Sequence, residues 1–330
     1  MSSLMDQEAS SENVIETSDI KEPKTENVVK GWENLDTDIL VRILEEHFSI
    51  NELTSGLELA HVCRGWRAVC CDPLLWDTLD LSHMNSVYIK AVKSPYVYVR
   101  RRCDEKVTRI LKLFMSLSKG NTRTLIVNFN LILTSDMLTY TAERCPNLRR
   151  LVLPTMTRIS KTGMKIALGF CENLESLTIP SLHDSQFLFS SIVKKLTFRE
   201  LKVMGRIPAI FAEKLVEHLP NLKVLSLRCN AIYRDALLII LDGLESLEVL
   251  NISHSYLVVK QEHPEKKKLI VRELDQTIME KASKLKRFVT CMEYMTCVMC
   301  KRTEKDVGRV RWNRYEEGLW KADEVSSLHL

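Results

Sequence analysis

Nowhere in the 330 residues is there a run of about eighteen apolar residues, the length a helix needs to cross a bilayer. The first thirty residues are rich in Ser, Glu and Asp and contain no apolar core of a secretory signal. Export and membrane insertion are therefore not expected. Catalytic signatures are missing as well: there is no G-x-S-x-G turn, no glycine-rich phosphate loop and no H-E-x-x-H pair. The eight histidines are scattered, and none pairs recognisably with a nucleophile. Charge of one sign is not in large excess, since 47 Lys and Arg face 43 Asp and Glu for a net +4. A non-specific nucleic-acid binder concentrates far more positive charge on one face, so no specific nucleic-acid partner is expected. Without a signal, the ten cysteines are expected to be reduced thiols of the cytoplasm or nucleus, most of them buried as small hydrophobes. No catalytic residue and no cofactor is assigned.

What the chain does contain begins after residues 1–30, which are polar and acid-leaning and are expected to be a disordered tail. Over residues 31–76, Ile39, Leu40, Ile43 and Leu44 fall at helical spacing. Asp36 and Asp38 stand at the start, where the helix dipole favours negative charge. Leu53, Leu57, Leu59, Val62, Cys63 and Trp66 continue as one or two further amphipathic helices, and Asp72-Pro73 interrupts the pattern before Leu75-Trp76. So short a helical unit cannot bury all these side chains internally. The remainder either seeks a partner or caps the rest of the chain.

From residue 77 onward the sequence is periodic. The strand-like phrase L-x-x-L-x-L recurs with its middle leucine at positions 125, 151, 177, 201, 225 and 250, a spacing of 24–26 residues, with an early copy at Trp76, Leu79 and Leu81. That period lies within the 20–29 residues of a leucine-rich repeat. Helical stretches are expected at 110–117, 136–143, 163–169, 209–218 and 235–241. Several strands are announced by one phrase, as in Cys145-Pro146-Asn147-Leu148 and Leu219-Pro220-Asn221-Leu222. Asn130 and Asn230 each stand three residues past the last core position of a strand, where an amide can bond the turn backbone along the stack. The long gap between Leu79 and Leu125 is expected to hold an insertion or a degraded repeat over 85–103. After a basic loop at 265–268, a helix over 269–283 and a last strand near Leu285 and Phe288 are expected.

The expected architecture is α/β: a small all-helical module at 31–76, then a solenoid of about seven leucine-rich repeats at 77–290. Its parallel strand ladder lies inside and its helices outside. Residues 291–330 are expected to cap the end, because Trp312, Tyr315, Leu319 and Trp320 are too aromatic to remain in water.

The core leucines are structural, so recognition belongs to the strand residues between them and just after them. The substrate-facing candidates are Arg150, Val152, Thr178, Lys202, Ser226, Arg228 and Asn251. Arg149, Arg150, Arg199 and Arg228 could form a positive strip, although a solvated face of scattered charges is the reading the mixed ladder favours. Near the end, Cys297-x-x-Cys300 supplies half of a tetrahedral zinc site, and Cys291 could add a third thiolate. No second pair comes after it, and His254 or His263 would have to return across a long loop. No metal is assigned, and buried thiols in the last repeat are expected instead.

Residues 35–76 resemble an F-box. The resemblance rests on Leu35, Asp38-Ile39-Leu40, Ile43-Leu44, Val62-Cys63-Arg64-Gly65-Trp66-Arg67 and Asp72-Pro73-Leu74-Leu75-Trp76. Two features depart from the family pattern: Asp36 stands where a proline is usual, and the segment 45–61 is longer. The order of this module, then C-C-D-P-L-L-W-D-T-L-D-L, then repeats, is similar to plant F-box/LRR proteins. So are the stretch from Thr139 to Pro146 and the Arg311-Trp312 and Leu319-Trp320-Lys321 pieces. The resemblance implies a Skp-type adaptor partner, a cullin–RING ubiquitin ligase beyond it, and an unknown protein substrate held by the repeats. It further implies that Leu35, Ile39, Leu40, Ile43, Leu44, Leu53, Leu57, Val62, Cys63, Trp66, Pro73 and Trp76 make the adaptor contact, with Trp66 and Trp76 as anchors. Two alternatives are a free-standing interaction scaffold whose F-box no longer docks, and a thiol- or zinc-dependent enzyme using Cys291, Cys297 and Cys300.

Overall fold

The middle residues of successive repeats lie side by side. In the computed structural model, Leu79 pairs with Leu125, then Leu151, Leu177, Leu201, Leu225, Leu250 and finally Phe288, each on a parallel strand. The structure describes residues 31, 35–47, 62–81, 102–127, 131–154, 157–179, 186–193, 195–260 and 268–308. The tail 1–30, Leu53, Leu57, Leu59, Asn130, His263 and the aromatic residues from Trp312 onward lie outside them, as does most of the expected insertion.

Eight strands form the ladder: β1 (Thr78–Leu81), β2 (Thr124–Val127), β3 (Arg150–Val152), β4 (Ser176–Ile179), β5 (Glu200–Val203), β6 (Val224–Ser226), β7 (Val249–Asn251) and β8 (Arg287–Val289). About seven repeats are expected from the sequence, and the ladder has eight strands, of which β8 is the last strand read near Phe288. β1 pairs directly with β2, so the long gap between them is an insertion and adds no strand to the ladder.

The module ahead of the ladder consists of α1 (Thr37–His47), α2 (Arg64–Cys70) and a 3-10 turn at Pro73–Trp76. On the outside of the solenoid run α3 (Arg102–Ser118), α4 (Ser135–Arg144), α5 (Lys161–Phe170), α6 (Gln186–Ile192), α7 (Ala209–His218), α8 (Arg234–Gly243) and α9 (Gln276–Ala282). Side-chain caps fix several starts: Thr134 accepts from Met137 N–H, Ser160 from Gly163 N–H and Asp275 from Ile278 N–H. The turn phrases do local work as well. Leu148 N–H donates to the Cys145 carbonyl and Leu222 N–H to that of Leu219, while the amides of Asn147 and Asn173 reach back to Gly120 and Pro146 of the preceding turn.

One core runs from Trp76 to Cys300, and its repeat leucines are essentially inaccessible. Each contributes about 1.5–3 kcal/mol of transfer free energy. Asn230 behaves as its position suggests: its side chain donates to the Val203 carbonyl at 2.9 Å and accepts from Gly205 N–H at 2.6 Å.

The expected helix over 269–283 is two elements. Lys268–Val271 is a strand antiparallel to Tyr256–Lys260 on a second, smaller sheet, and only Gln276–Ala282 is helical. The branched run Ile270-Val271 favours the strand, and the Asp275 cap sets where the helix begins. Of the C-terminal segment expected to cap the last repeat, residues 291–308 are described and the aromatic residues from Trp312 onward are not. From β8 the chain turns back along the ends of the strands through α10 (Val298–Lys305) to Gly308. An added Cβ at Gly308 would come within 2.3 Å of the Ala231 backbone nitrogen. Among the described residues, no helix is long and apolar enough to cross a membrane.

Candidate functional site

The helical module has a core of its own. Leu40, Val41, Leu44, Trp66, Val69 and Cys70 bury one another, with Leu35, Cys63 and Leu75 at the margin. α1 starts where Ile39 and Leu40 N–H both bond the Asp36 carbonyl, so Asp36 in the usual proline position is compatible with the helix start. α2 starts at Cys63, whose sulfur accepts from Trp66 N–H at 3.4 Å.

Four of the residues expected at the adaptor contact are packed inside the chain. Leu40, Leu44 and Trp66 are buried inside the module, and Trp76 is buried against the solenoid, its Nε1 donating to the Cys70 carbonyl at 3.0 Å. They therefore hold the module together, because a side chain already out of water has little left to gain from a partner. Ile39 at 47% and Val62 at 59% exposure are instead open, while Leu35, Ile43, Cys63 and Pro73 are half-buried. Leu53 and Leu57 lie outside the described residues.

In the ladder, the register matches the expected row and the exposure does not. Val152, Thr178, Lys202, Ser226 and Asn251 are aligned strand by strand. All five are buried, as is Arg228, and only Arg150 is half-buried. These candidates do not form an open recognition face in this structure. One reason is the returning C-terminal segment: Ile126, Val152, Met204 and Cys229 share an apolar cluster with Met299 of α10. A uniform positive strip does not form either, since Arg149 is ion-paired with Glu175 of the next repeat at 3.5 Å.

A sequence profile of the F-box-like family matches residues 32–82. An F-box/LRR-repeat protein of Arabidopsis thaliana is 61% identical over 303 residues, covering 92% of this chain and 97% of that relative. The chain belongs to the plant F-box/LRR-repeat family. A putative F-box protein of the same plant is 25% identical over 345 residues, 93% of this chain and 99% of its own length. The F-box protein SKIP1, also of Arabidopsis thaliana, is 28% identical over 155 residues, 46% of this chain and 48% of its own.

Within this F-box/LRR-repeat protein two groups of described cysteines differ in chemistry. Burial pushes the Cys145 thiol up to about 12 and the Cys171 thiol up to about 11, so both are inert packing groups of the turn phrases. The second group gathers at the ends of β7 and β8. His254 comes after β7 in a turn with a left-handed backbone (φ 60°), and its N–H donates to the Cys291 carbonyl just after β8. Cys297 precedes α10 and Cys300 lies in its first turn. Burial, helped by the Arg228 charge, pushes the His254 imidazole down to about 4, leaving it neutral near pH 7. Burial opposes ionisation of Cys297, but the backbone N–H groups of Cys300 and Met299 and the neighbouring thiols outweigh it and hold the thiol below its ordinary value. The same burial raises Cys291 and Cys300. The fourth donor that local spacing does not supply is thus His254, 43 residues before Cys297.

Proposed function

We propose that this F-box/LRR-repeat protein is the substrate-recognition subunit of an SCF-type ubiquitin ligase. The helical module docks a Skp-type adaptor, and the solenoid holds a protein substrate for ubiquitin transfer by the cullin–RING assembly. The observation that carries this reading is the family match over residues 32–82, set directly against a leucine-rich-repeat ladder. The chain itself contributes binding and no bond-making step, and it works in the cytoplasm or nucleus.

Exposed apolar side chains on the module support docking, because Ile39 and Val62 gain most from leaving water. The test is binding of the purified full chain to a Skp-type adaptor, beside Ile39→Asp and Val62→Asp variants. Submicromolar binding, weakened at least about tenfold in variants whose unfolding midpoint is unchanged, supports the reading. A well-folded wild type that does not bind overturns it in favour of a repeat scaffold with a vestigial F-box.

A further inference from the structure

Three sulfurs and one imidazole nitrogen converge where β7 and β8 end. His254 Nδ1 lies 3.3 Å from Cys297 Sγ and 3.5 Å from Cys300 Sγ, and Cys291 Sγ lies 3.7 Å from Cys300 Sγ. All four donor atoms fall within 4.8 Å of one another. A tetrahedral zinc ion with Zn–S near 2.3 Å and Zn–N near 2.0–2.1 Å puts its sulfurs about 3.8 Å apart and a sulfur and nitrogen about 3.5 Å apart. The measured separations are therefore edges of such a tetrahedron. They are far too long for a disulfide, whose sulfurs sit about 2.05 Å apart.

We propose that His254, Cys291, Cys297 and Cys300 form a structural zinc site that fastens the C-terminal segment to the end of the repeat ladder. The donor set is of the Cys3His type, soft enough to favour zinc over magnesium or calcium. Four protein donors leave no open position for a water or substrate, which makes the site structural.

Its surroundings are built to hold the donors in place. The left-handed conformation at His254, uncommon for any residue but glycine, turns the ring toward the sulfurs and is held by the backbone bond to Cys291. Tyr294, between the first and second cysteines, donates its hydroxyl to the Ser255 carbonyl beside the histidine. Three thiolates, a neutral imidazole and Zn2+ sum to one negative charge, and the buried Arg228 guanidinium acts on His254 with the opposite sign. This inference goes beyond the adaptor reading and does not depend on it.

The full chain, purified under reducing and chelator-free conditions, should carry about one zinc by elemental mass spectrometry. Cobalt(II) in place of zinc should give the thiolate charge-transfer and d–d absorption of a tetrahedral site. His254→Asn keeps a residue that tolerates the left-handed backbone, and Cys297→Ser removes one thiolate. Each should weaken zinc retention against a competing chelator at least about tenfold, while Cys71→Ser in the F-box leaves it unchanged. Should the variants not fold, the wild-type cobalt spectrum decides alone. Zinc well below one per folded chain, a cobalt spectrum without tetrahedral thiolate bands, or a Cys291–Cys300 disulfide found by peptide mapping would each overturn the proposal.

Discussion

The indole ring of Trp76 packs against the ring of Phe114 with centroids 4.8 Å apart, joining the last turn of the F-box to the first outer helix of the solenoid. Leu75, one residue earlier, touches both the F-box core and the repeat core. The two units therefore meet through packed side chains as well as a peptide bond. On the proposed adaptor reading, such a joint would fix the direction in which the repeats point once the F-box is docked.

Trp76→Ala should empty that joint. The expected cost is about 3–5 kcal/mol, the range for deleting a large buried aromatic. Urea unfolding followed by circular dichroism is the check, with early loss of the F-box helices expected before the repeats melt. A loss below about 1 kcal/mol would mean that the joint contributes little.

Asn230→Ala should leave the Gly205 N–H and the Val203 carbonyl without their partner in a buried turn. A cost of about 1–3 kcal/mol is expected for orphaning such groups. Hydrogen exchange reads the site directly. The Gly205 amide should exchange faster in the variant, while amides of β1 and β2, several repeats away, keep their protection.

Glu248 sits between two lysines, with Lys286 and Lys223 both bonded to its carboxylate at 2.8 and 2.9 Å. Those bonds hold its carboxyl down to about 2, against an ordinary value of 4.5. A depressed folded-state value stabilises the fold above the ordinary carboxylate range. That contribution fades as pH falls from 4.5 toward 2. The difference in unfolding midpoint between wild type and Glu248→Gln should therefore shrink across that window and be flat from pH 5 to 7. High salt should also reduce it, because the bridge reaches solvent. A gap that is constant with pH would show that the carboxylate is not held in this way.

The ladder was legible from sequence because its signal is periodic. Six middle leucines mark six strands, Leu79 belongs to an early copy of the phrase, and Phe288 lies on the last strand expected where the pattern weakens. What exceeded the sequence was anything decided between distant segments. Leu40 and Ile39 are neighbours of like chemistry, and only packing against Trp66 and Val69 shows which one is buried and which is free. Lys202 and Thr178 alternate as an open strand face would, but no local pattern announces that this face is buried. His254 is ordinary in its own stretch and acquires its neighbours only when β8 pairs with β7.

The direct pairing of β1 with β2 has one more consequence. The connection between these strands is about twice as long as each of those from β2 to β7, and yet Thr78 to Leu81 meets Thr124 to Val127 without a slip. A long connection is thus compatible with an unbroken strand register. Part of that length is structural, because α3 within the connection buries Val107, Leu111 and Phe114 in the core, so the helix that covers the first strands is carried by the very segment that departs from the repeat period.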